Sequence, residues 1–75
     1  MKKPGGVDLS RLQSMVYGAI KQRPSTCDEV EAALGTTHQS TSPRFGELDR
    51  RGLICKVGKK RPTRSGRPAE IWRAR

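Results

Sequence analysis

The residues able to do chemistry in this chain are few: one histidine, His38, two cysteines, Cys27 and Cys55, and seven carboxylate side chains. Nucleophilic catalysis needs a base within reach of a thiol or hydroxyl, and phosphate chemistry needs a glycine-rich loop opening a helix. The chain offers one histidine, no glycine-rich loop before a helix and no cluster of carboxylates placed inward, so catalysis finds no support. Asp28, Glu29 and Glu31 fall together on a short helical segment and read as dipole and solubility residues, while Glu47 and Asp49 interleave with Arg44, Arg50 and Arg51 as a solvated ion-pair face. There is no CxxC pair and no second histidine to complete a zinc set, so neither a metal nor another cofactor is expected. Cys27 reads as a small core residue rather than a nucleophile. Both cysteines suit a reducing compartment as free thiols, although the sequence alone leaves a bridge between them open. The expectation is a protein that is not an enzyme and takes no small-molecule substrate.

What remains is cationic. Lys and Arg number 16 against 7 Asp and Glu, a formal net charge of +9, and the cations crowd into GKKRPTRSGRP at 58–68. Such a charge favours phosphate-rich surfaces, either nucleic acid or an anionic membrane. Membrane is the weaker reading, since no apolar run approaches the roughly 18 residues of a spanning helix and no apolar signal region follows Met1-Lys2-Lys3. A cytosolic location is expected, since no signal region is seen. The 75 residues suffice for one small domain, at 7–75, behind a flexible tail at 1–6.

The elements that must position these cations follow from periodicity. Leu9, Leu12, Val16 and Ile20 recur at helical spacing, widened by Met15 and Ala19, with Asp8 as N-cap and Val7 stapling onto Leu12. Lys21 and Arg23 suit the last turn and Pro24 ends it. Gly18 is dissonant, marking either a close helix approach or mere tolerance. A second, short helix is announced by the capping box Thr26-Cys27-Asp28-Glu29, buries Cys27, Val30, Ala33 and Leu34, and stops at Gly35. A third starts at Thr37, places Thr41, Phe45 and Leu48 on one face, and stops at Gly52. Pro43 either kinks this helix or restarts it at Ser42-Pro43; one distorted helix is the favoured reading. The period then changes to that of strands. LICKV sets Leu53, Cys55 and Val57 against Ile54 and Lys56, and AEIWR returns after a basic loop spanning Gly58 to Pro68. A hairpin alone is marginal, so it must pack on the helices through Ile71 or Trp72.

Three helices followed by a two-stranded antiparallel hairpin make an α+β chain that resembles a winged helix-turn-helix domain. The resemblance covers Val7 to Arg73 and is carried most specifically from Thr26 to Ile54, TCDEVEAALGTTHQSTSPRFGELDRRGLI. This run resembles the second helix, turn, third helix and first wing strand of MarR-like and small phage or prophage winged-helix proteins. Leu34-Gly35 matches the turn, Leu48 the core leucine and Gly52-Leu53-Ile54 the step into the wing, while TRSGRPAEIW resembles the wing's returning side. Pro43 departs from the wider family pattern, and the long dimerisation helices of the MarR type are missing, so a homodimer is not carried over.

The resemblance implies double-stranded DNA as partner, with the third helix in the major groove. Its amino end offers Thr37, His38, Gln39, Ser40, Ser42 and Arg44. Gln39 leads this set, because glutamine pairs bidentately with adenine, as arginine does with guanine. The wing offers Lys59, Lys60, Arg61, Thr63, Arg64, Ser65 and Arg67, with Lys56 at its base, for phosphate contact. Gly66-Arg67-Pro68 also resembles the core of an AT-hook, which makes Arg64 and Arg67 candidates for a narrow minor groove. The role implied is that of a phage, prophage or bacterial regulator or an excision accessory factor. The alternative is a protein-interaction module docking on a host or replication protein. Single-strand binding is disfavoured, because Tyr17, Phe45 and Trp72 are the only aromatics and Phe45 belongs to the core.

Overall fold

All three helices begin at a hydroxyl side chain. In the structure, a computed structural model that describes residues 9–75, α1 spans Arg11–Gln22, α2 Cys27–Leu34 and α3 His38–Arg50; β1, Ile54–Pro62, and β2, Pro68–Ala74, follow. Ser10, Thr26 and Thr37 are the N-caps, each accepting from the amide three residues on. The expected cap at Asp8 is therefore corrected: Ser10 and Gln13 form a reciprocal capping box that satisfies two free amides. The proposed staple from Val7 and the tail at 1–6 lie outside the described residues.

The ends of α2 and α3 behave as their glycines predict. Gly35 and Gly52 adopt left-handed φ values of 67° and 75°. At each, the following residue reaches back across the last turn, Thr36 N–H to Glu31 O at 3.1 Å and Leu53 N–H to Leu48 O at 3.0 Å. These bonds satisfy carbonyls that the helix leaves without donors. α3 runs unbroken through Pro43, as one helix. Proline removes the donor owed to the carbonyl of Gln39, but Pro43 and Gln39 are both exposed, so the loss falls on a solvated face.

The core forms where the helices meet the base of the hairpin. Val16, Ile20, Val30, Leu48 and Ile54 are at most 1% exposed and Phe45 is 4% exposed. Burial of each such side chain contributes roughly 1.5–3 kcal/mol relative to exposure. Thr41 is buried on the predicted face of α3, its hydroxyl paired with that of Thr36 at 2.5 Å. Three expectations fail here. Met15 is 40% exposed and Ala33 is exposed, so neither widens the apolar faces, and Glu31 is buried instead. Gly18 marks no helix contact, since a Cβ there would meet nothing within 4 Å.

The hairpin is longer than the sequence suggests. β1 and β2 pair antiparallel from Ile54↔Ala74 to Pro62↔Pro68, with a bulge between Lys56 and Lys60. The bulge absorbs the unmatched residues around Gly58 and lets pairing resume, so the expected loop from Gly58 to Pro68 contracts to a turn at 63–67. Thr63 N–H to Arg67 O at 2.8 Å and Gly66 N–H to Thr63 O at 2.9 Å close it. Ser25 flanks β2 on its other side, exchanging two hydrogen bonds with Trp72 at 2.8 and 2.9 Å. β2 is thus held from both edges. Ile71 is 8% exposed, and Trp72 packs on the core with its ring 5.7 Å from that of Phe45, so both apolar residues of the pair are covered. The arrangement is the α+β layout of a winged helix. Among the described residues no helix is long and apolar enough to cross a membrane.

Candidate nucleic-acid interface

The amino end of α3 has no acidic residue in its first turn, so the positive end of its dipole is not neutralised from within the helix. The side chains predicted to project from it are not equally available. Thr37 and Ser40 are engaged with each other: Thr37 Oγ1 accepts from Ser40 N–H at 3.2 Å and donates to Ser40 Oγ at 3.1 Å. These two are capping residues first. Arg44 is half-buried, its guanidinium 2.8 Å from both carboxylate oxygens of Glu47. Glu47 also accepts from Gln13 Nε2 of α1 at 2.6 Å, which holds its carboxyl below the usual range with help from Arg44 against partial burial. Arg44 therefore belongs to a strap between α1 and α3. Ser42 is half-buried. Gln39 is exposed, and its side chain makes no hydrogen bond among the described residues. His38 is 72% exposed, but its Nδ1 lies 2.5 Å from Glu31 Oε2, leaving only the far ring nitrogen toward solvent.

The wing divides in the same way. Arg61 donates to both oxygens of Glu29 at 2.6 and 2.7 Å. Arg64 meets Asp28 through its guanidinium at 2.8 and 2.9 Å and through its backbone N–H at 3.2 Å, with Glu31 Oε1 3.7 Å away. The acids of α2 thus hold the wing down, a role that their position on a short helix did not suggest. Arg64 keeps the Asp28 carboxyl below the ordinary range, chiefly by the side-chain hydrogen bond. At Glu29 burial acts to raise the pKa, but hydrogen bonds from Arg61 and the Thr26 amide prevail and lower it. Lys56 is also engaged, with Nζ 5.6 Å from the centre of the Trp72 ring. Thr63 and Ser65 share a hydroxyl–hydroxyl hydrogen bond at 3.0 Å across the turn. Lys59, Lys60 and Arg67 are exposed and form no ion pair among the described residues.

Helices and wing line an open cavity of about 410 Å³, with Cys27, Asp28, Glu31 and His38 on one side and Thr63, Ser65 and Arg67 on the other. The amino end of α3 and the wing tip therefore share one concave surface. Inside it, Cys27 Sγ lies 3.1 Å from Glu31 Oε2 and 3.9 Å from His38 Nδ1. Burial, reinforced by the neighbouring Glu31 carboxylate, pushes the Cys27 thiol up to about 12, so it is protonated at neutral pH. Reading the three residues separately missed this grouping. The one local signal was the four-residue spacing of Cys27 and Glu31, which puts both on one face of α2. Compared with protein-family models and with the curated proteins, the chain matches none.

Proposed function

We propose that the chain binds double-stranded DNA, with the amino end of α3 directed at the major groove and the wing at neighbouring phosphates. The observation that carries this is the shared concave surface, where the amino end of α3, with His38 held on Glu31 and Gln39 exposed next to it, stands beside the wing tip bearing Arg67. Helix termini of this polarity and exposed Lys and Arg are what phosphate oxygens select. Gln39, free of internal hydrogen bonds, is the residue for base readout, with the outer nitrogen of His38 beside it. Arg61 and Arg64 stay on α2, so Lys59, Lys60 and Arg67 supply the wing's phosphate contacts. A DNA-binding regulator or a recombination accessory factor is the role that this reading suits.

The test is fluorescence anisotropy with a mixed-sequence duplex across a salt series. Three phosphate contacts give a slope of log affinity against log salt of about −3. Lys59→Ala with Lys60→Ala should flatten it by about 2. Gln39→Ala should leave the slope alone and reduce discrimination among sites selected from a random pool, by about 1–3 kcal/mol. A slope near zero, or no duplex binding beside stable capture of a protein partner, would overturn the reading in favour of an interaction module.

A further inference from the structure

We propose that Cys27, Glu31 and His38 form a binding site for a transition-metal ion of the zinc and cobalt class, at the junction of α2, α3 and the wing tip. The inference goes beyond DNA binding and does not rest on it. Three donors of different chemistry converge here, a thiol, a carboxylate and an imidazole, and their ligand atoms all lie within 4.8 Å of one another. Sulfur and nitrogen beside a single carboxylate oxygen is a set that zinc accepts, whereas magnesium and calcium favour oxygen alone.

The geometry needs little adjustment. Metal–ligand bonds of about 2.0–2.3 Å in a tetrahedral site imply ligand–ligand edges of roughly 3.3–3.6 Å. The observed edges are 3.1 Å for Cys27 Sγ to Glu31 Oε2, 3.9 Å for Cys27 Sγ to His38 Nδ1 and 2.5 Å for His38 Nδ1 to Glu31 Oε2. Side-chain rotations of under about 1 Å convert this hydrogen-bonded triangle into a coordinating one. Two of the ligands are held in advance. Cys27 and Glu31 project from successive turns of α2, and the Glu31 side chain, 7% exposed, has its other oxygen, Oε1, 3.7 Å from the Arg64 guanidinium. That neighbour orients the carboxylate with Oε2 toward the thiol and the ring, as outer partners of metal ligands do. His38 arrives as the first residue of α3, across the Gly35 turn. A fourth position faces the cavity, where water completes the coordination.

Binding replaces the thiol proton by the metal. Cys27 S–H becomes a metal thiolate, the proton goes to solvent, Glu31 binds as carboxylate and His38 through the lone pair of Nδ1. Cobalt(II) is the probe, because a cobalt–thiolate bond absorbs by charge transfer where the free ion does not. Titration of the full chain should reach one equivalent with this band present, and zinc should displace the cobalt. Cys27→Ser should abolish the band while Cys55→Ser leaves it unchanged. His38→Gln, at an exposed position, should weaken binding at least about tenfold, the loss that even outer partners of ligands cause. No charge-transfer band in the wild-type chain would overturn the proposal. So would a band that survives Cys27→Ser, or affinity unchanged in His38→Gln.

Discussion

Where α1, α2 and α3 meet, Val16, Ile20, Val30 and Leu48 are at most 1% exposed, whereas at the end of the wing Lys59, Lys60, Arg64 and Arg67 all face solvent. The helical body is held by apolar contact, and the wing beyond its bulge is held by Arg61 on Glu29 and Arg64 on Asp28. Apolar burial is indifferent to moderate salt and gives one cooperative unit. Exposed ion pairs are screened and act locally. The wing tip should therefore open without the body unfolding, and its cations are divided between two that fasten it and three, Lys59, Lys60 and Arg67, that form no ion pair among the described residues.

The largest effect that would break this comparison lies in the body. Leu48→Ala should cost about 2–5 kcal/mol in urea unfolding, since a fully buried leucine leaves a cavity that packed neighbours cannot fill. A loss under 1 kcal/mol would mean that the helices are not a packed unit. Thr26→Ala removes a buried cap and half of a capping box, for an expected loss of about 1–2 kcal/mol. Gly18→Ala should stabilise the protein by about 0.8–1.0 kcal/mol, since the added methyl meets open space in an exposed turn of α1.

Smaller effects belong to the wing. Arg61→Ala should change global stability by only about 0.2–1 kcal/mol. Arg64→Ala should leave the urea midpoint in place while the Arg64 amide, bonded to Asp28, loses its hydrogen-exchange protection. Parallel loss of protection and midpoint would mean that the wing is part of the cooperative core. The pH response has a definite sign. Asp28 is more acidic folded than unfolded, so its pairing with Arg64 stabilises above the ordinary aspartate pKa and is lost as pH falls through the lowered one. An NMR titration should show that low value in the wild type and a return toward the ordinary value in Arg64→Ala.

Local features were legible because their partners are close in the chain. Thr26 with Glu29, Thr37, Gly35, Gly52 and the Thr41-Phe45-Leu48 face all act within a turn or two of helix. The cap of α1 was misplaced because Asp8 and Ser10 are both competent caps, and only the Gln13 of the reciprocal box distinguishes them. In the candidate interface Gln39, first of the set, stands clear of internal partners, while Ser42 is half-buried. The engagement of Arg44 was not legible, because it depends on Glu47 being fixed by Gln13 of a different helix.

The sequence by itself determined three capped helices, their apolar faces and a cationic hairpin, since caps, period and charge are properties of neighbouring residues. Only the tertiary structure decided which cations remain available, which strand edge Ser25 covers, and that Cys27, Glu31 and His38 share one cavity. Arg61 meets Glu29 across 32 residues and Arg64 meets Asp28 across 36, contacts that exist only after the hairpin has packed over α2. No local pattern encodes such a meeting. Packing of the apolar residues brings the charged ones together, and their positions follow from the core rather than from their own neighbours.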